Sequence, residues 1–109
     1  MSQYPVDKYL PLTEATYCIL AALVEPLHGY GVMQKIDVMT RGTVSVGAGT
    51  LYGAFSTLEK EKLIDMVVED GRRKVYALTA KGSAVLKAEI QRLSNMVTYG
   101  RDALNAVQE

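Results

Sequence analysis

The side chains able to do chemistry in this sequence are few and scattered. His28 is the sole histidine. It stands between Leu27 and Gly29 with no serine, cysteine or carboxylate pair at a motif spacing around it, so it is assigned to a turn rather than to acid–base work. Cys18 is the sole cysteine and lies inside the apolar run Tyr17 to Val24. No second thiol can pair with it or share a metal, and no basic neighbour activates it. It reads as a core residue, and the chain as one suited to a reducing, cytoplasmic setting. Phosphate-cradling glycine loops, nucleophile motifs and metal-ligand spacings are missing from the sequence. Catalysis, a metal and a cofactor are therefore not expected.

The remaining polar groups suit noncovalent recognition of a polyanion. Arg72, Arg73 and Lys74 form the one clear basic cluster, directly after Glu69, Asp70 and Gly71. Ser45, Gly49, Thr50, Tyr52, Gly53, Ser56 and Lys60 gather hydroxyls, small residues and an ammonium in one short stretch. Such groups bond phosphate oxygens and base edges. Twelve basic and twelve acidic residues cancel to a net charge of zero. Global attraction to nucleic acid is thus absent, and the position of each group in the fold must carry the argument.

The elements that would position these groups follow from patterning. A chain of 109 residues, 49% hydrophobic and 22% charged, builds one packed core. Its longest apolar run has eight members, against roughly 20 needed to cross a bilayer. The N-terminus lacks a basic-then-apolar leader, so neither export nor membrane anchoring is expected. Met1 to Pro11 reads as an irregular arm. A first helix is expected from Thr13, its cap, to Glu25, where Pro26 stops it. Because residues 17–24 are apolar on every face, this helix needs cover on several sides, and Leu20 is assigned to a subunit interface.

A glycine-rich turn at 27–31 precedes a second amphipathic helix ending near Thr40. After a loop, a third helix runs from Ala48 to Lys62 with Leu51, Phe55 and Leu58 inward. At about 100° per residue its outer stripe is Gly49, Gly53, Ser56 and Lys60, flanked by Tyr52 and Thr57. Ile64 to Glu69 and Lys74 to Leu78 read as a β-hairpin turning at 70–73. Thr79 then caps a last helix in which Leu86, Ile90, Leu93, Val97, Gly100, Leu104 and Val107 repeat at the spacing of a two-stranded seam. About 27 residues span roughly 40 Å, more than so small a domain can cover. The seam predicts a second subunit.

Three helices followed by a hairpin is the order of a winged helix-turn-helix, here mainly α with one small β-hairpin, residues 1–79, followed by a dimerisation helix, 80–109. In that architecture the third helix enters the major groove of double-stranded DNA and the hairpin touches phosphates. The neutral charge leaves a second reading, a winged-helix module that binds protein instead.

Several segments resemble the PadR-like transcriptional regulators, and in particular the short subgroup with one C-terminal dimerisation helix. The resemblance covers about residues 12–107. It rests on His28-Gly29-Tyr30, Gly49-Thr50-Leu51-Tyr52, Leu58-Glu59 with Leu63-Ile64, and Tyr76-Ala77-Leu78-Thr79 with Gly82. It implies a homodimeric regulator, usually a repressor, on a palindromic operator, released by a small molecule or another signal. Gly53 stands where the family commonly has proline, and the chain has no tryptophan, which argues against stacking planar drugs between indoles. An effector site between the subunits would draw on Tyr4, Tyr9, Tyr17, Met96 and Tyr99, a lining suited to a small apolar or phenolic molecule.

Overall fold

The computed structural model describes residues 4–71 and 73–108. The arm is more ordered than its prolines suggest. A single 3-10 turn at Asp7–Tyr9 brings Val6, Tyr9, Leu10 and Leu12 partly under cover against the core.

Helix α1 spans Glu14–Ala22, with the Thr13 side chain accepting from the Thr16 N–H as expected of a cap. It ends three residues before the expected Glu25. The residue preceding Pro26 is biased to extended backbone, and Lys35 Nζ holds the end by donating to the Ala22 carbonyl at 2.9 Å and pairing with Glu25 at 2.8 Å. The all-round apolar surface of α1 is covered largely by its own chain: Cys18, Ile19, Leu20, Ala22 and Leu23 are buried in one protomer. Leu20, expected at a subunit interface, is 0% exposed without any partner.

The chain released by Pro26 forms a strand that the sequence reading does not contain. β1, Leu27–His28, pairs antiparallel with a later strand, Leu27 opposite Tyr76 and His28 opposite Val75. Two residues are too few to show a period of two, so no pattern announces it. His28 then caps α2, Gly29–Met39, its Nδ1 accepting from the Gly31 N–H at 3.2 Å. His28, expected in a turn, is thus the last residue of β1 and the cap of α2.

Helix α3 spans Ala48–Lys60 and stops short of the expected Lys62. Lys62 has φ 63°, the left-handed region. The Leu63 N–H reaches the Leu58 carbonyl and the Lys62 N–H that of Glu59, which is the Schellman closure of a helix end. Strands β2, Ile64–Asp70, and β3, Arg73–Leu78, complete a three-stranded sheet in the order β1-β3-β2. Asp70 pairs with Arg73, so both strands reach further toward the turn than expected. Gly71 takes φ 60° there, where glycine carries no β-carbon penalty.

Helix α4, Ala80–Gln108, is 29 residues long, or about 43 Å. The Thr79 hydroxyl accepts from the Gly82 N–H at 3.0 Å and donates to the Lys62 carbonyl at 2.6 Å, which fixes α4 onto the end of α3. Its first three turns bury Gly82, Val85, Leu86 and Glu89. Leu86, assigned to the subunit seam, belongs mainly to this intrachain core, at 8% exposure. No helix of the described residues is long and apolar enough to cross a membrane.

Candidate nucleic-acid interface

Helix α3 divides cleanly into two faces. Leu51, Phe55 and Leu58 are buried, while Gly49, Thr50, Tyr52, Gly53, Ser56 and Lys60 are exposed. A β-carbon added at Gly49 or Gly53 would meet nothing within 4 Å. The smallness of these two residues therefore serves no packing inside the chain, and it lets an outside surface approach the helix backbone. Ser45 is exposed in the loop before α3. Gly47 opens the helix without a side-chain cap, so the first backbone N–H groups are not taken by a side chain of the cap.

An aromatic series ties this helix to the wing. Tyr52 meets Phe55 edge-on with centroids 5.9 Å apart, and Phe55 meets Tyr76 of β3 at 4.7 Å. Offset and edge contacts of this kind fix relative orientation. The same β3 carries exposed Arg73 and Lys74 beyond the point where β1 stops pairing. Arg72, the first residue of the expected basic cluster, lies outside the described residues. The flank of α3 is thus tied to β3 through ring contacts that the sequence does not announce. What sequence reasoning missed here is β1, which brings His28 and the start of α2 beside β3, and Tyr30, exposed next to it.

The arm is anchored elsewhere. Tyr9 donates its hydroxyl to Glu61 at 2.8 Å, and that bond, with Lys8 and Lys81 nearby, holds the Glu61 carboxyl below its ordinary value despite some desolvation. The Lys81 ammonium lies 5.1 Å from the centre of the Tyr9 ring. Leu12 donates its N–H at 2.8 Å to Glu89, which is 1% exposed and forms a two-point ion pair with Arg92. Lys81 and Tyr99 are separated by about 27 Å along α4, so one protomer does not bring Tyr9 to Met96 and Tyr99, as the effector expectation required. Tyr4 and Tyr17 are half-buried, Tyr17 against the core, and Met96 and Tyr99 are exposed.

Beyond Glu89, α4 leaves its own domain. Ile90, Val97, Leu104 and Val107 range from 49% to 79% exposed, and Leu93 is half-buried.

The profile of the transcriptional regulator PadR-like family matches residues 19–88, and the chain belongs to that family. Its members are transcriptional regulators rather than enzymes. Among solved structures, the PadR-like transcriptional regulator of Bacillus cereus is 26% identical and superposes with a TM-score of 0.69, over 83% of this chain and 90% of that one. The transcriptional regulator YqjI of Escherichia coli is 32% identical over 60 residues, 55% of this chain and 29% of that protein. A 37.1 kDa protein of transposon TN4556 from Streptomyces fradiae is 32% identical over 84 residues, 76% of this chain and 24% of that protein. The chain spans less than a third of the length of these two relatives.

Proposed function

We propose that this chain is a sequence-specific DNA-binding repressor that acts as a homodimer on a palindromic operator. The observation that carries the reading is the outer face of α3, where two glycines that no intrachain contact requires stand among Thr50, Tyr52, Ser56 and Lys60, all exposed. A helix of this make-up enters a major groove closely and offers hydroxyls to base edges. Arg73 and Lys74, with Arg72 beside them in sequence, supply phosphate contacts from the wing.

The apolar side chains that α4 leaves exposed from Ile90 to Val107 support a dimer, with Leu93 and Val97 inside the contact. Large apolar surface in a row is what a partner helix covers. A twofold dimer presents two copies of α3, which is why a palindromic site is expected. Release by a small apolar or phenolic effector fits the same arrangement, with Tyr17, Met96 and Tyr99 as its lining.

Selection of bound fragments from a random duplex pool with the purified chain tests the proposal. Recovery of an inverted repeat with half-sites about one helical turn apart is expected. A pool that stays random at low salt contradicts DNA recognition and favours a protein-binding role.

A further inference from the structure

Between the start of α2, the flank of α3 and the wing lies a cleft of about 440 Å³, walled by His28, Tyr30, Tyr52, Arg73, Lys74 and Tyr76. Among the described residues no acidic side chain lines it. Among the described side chains, which do not include those of the cross-strand neighbours Glu69 and Asp70, neither Arg73 nor Lys74 has a carboxylate within ion-pair distance. Tyr30 and Tyr52 are 61% and 53% exposed, and among the described residues their hydroxyls carry no hydrogen bond.

Tyr76 is the informative member. It is nine-tenths buried, packed on Phe55, yet its hydroxyl has no partner among the described residues. No fully enclosed side-chain oxygen of the described residues lacks a hydrogen bond, so this hydroxyl reaches solvent through the cleft. A polar group held inside a wall of cations and phenols is set to donate to an anion.

The position says which anion. If α3 occupies a major groove and the wing reaches the adjoining minor groove, one sugar-phosphate strand must run between them, and the cleft is what lies between them. We propose that the cleft is a phosphate seat in which Tyr30, Tyr52 and Tyr76 donate hydroxyls and Arg73 and Lys74 donate charge-assisted bonds to one phosphate group, in the working complex a phosphodiester of that strand. This rests on the DNA-binding reading above. It makes Tyr52 a phosphate contact that sets the register of α3, not a reader of bases.

The test uses the full chain, its selected duplex and inorganic phosphate. Tyr76→Phe and Tyr30→Phe should each lower affinity for every duplex by about tenfold, the worth of one hydrogen bond to a charged group, with sequence preference unchanged. A single methylphosphonate placed between the two grooves in each half-site should weaken the wild type similarly. It should weaken Tyr76→Phe much less, because the contact is already gone. Amide shifts at Gly29, Gly31 and Lys74 on adding millimolar phosphate, lost in Arg73→Ala with Lys74→Ala, identify the seat even if no duplex binds, in which case the seat stands for a free phosphate and the DNA reading falls. Duplex binding that is indifferent to both phenol-to-phenyl changes and to the methylphosphonate overturns the seat and leaves the DNA reading intact.

Discussion

The hydroxyl of Tyr52 on α3 rests against Gly29 at the start of α2, so closely that a β-carbon at position 29 would overlap it. One missing methyl group thus sets where α3 lies against the helix before it. Gly29→Ala must displace a phenol that is edge-packed on Phe55. We expect a loss of about 1–3 kcal/mol in urea denaturation, the usual range for overpacking, together with weaker duplex binding.

Gly49→Ala and Gly53→Ala should behave in the opposite way. Nothing in the chain lies within 4 Å of either added carbon, and alanine favours helix over glycine by about 1 kcal/mol. Both variants should be at least as stable as the parent and should bind the selected duplex more weakly, by fluorescence anisotropy. Full affinity in both would mean that this face does not meet DNA.

These contrasts explain how much could be read before the fold was known. The buried stripe of α3, the caps Thr13 and Thr79 and the hairpin were legible because each is a local pattern: a 3.6-residue period, a hydroxyl before a helix, an Asp-Gly turn. For Leu20 and Leu86, expected at a subunit interface, periodicity marks a residue as apolar without saying which surface covers it. Both are covered within the chain. The strand Leu27–His28 and the cleft beside it depend on a pairing with residues 75 and 76, and a contact so distant in sequence leaves no local trace.

The seam divides accordingly. Val97 is 51% exposed in one chain, so Val97→Lys should leave the winged-helix domain folded while sedimentation shows monomers. Leu20→Ala, at a fully buried site, should instead cost about 2–5 kcal/mol in any oligomeric state. A dimer unchanged by Val97→Lys would place the subunit contact elsewhere.

Glu89 links the arm to α4, and its titration gives a pH signature. The hydrogen bond from Arg92, then the Leu12 N–H and the Arg92 charge, hold its carboxyl below the ordinary value of 4.5 against the effect of burial. A depressed folded value means the stabilisation is fully present above 4.5 and is lost as pH falls through the lowered value. Glu89→Gln should lower the urea midpoint at pH 7 and flatten its decline on acidification. A decline identical to the parent's would remove Glu89 from the acid response.

Cys18 should be inert. Burial first, and the nearby Glu14 charge second, push its thiol above the usual value, and the thiolate is the reactive form. A thiol reagent at pH 8 should modify the folded protein far more slowly than the same chain in urea.

The proposed interface requires that α3 and the wing hold DNA through phosphates. The direct measurement is the affinity of the wild type and of Arg73→Ala with Lys74→Ala for the selected duplex, across 50 to 200 mM salt. The wild type should lose affinity linearly on logarithmic axes, and the variant should show a slope shallower by about 0.9 for each phosphate contact removed. No complex at low salt, or the same slope in both proteins, would contradict the proposed interface.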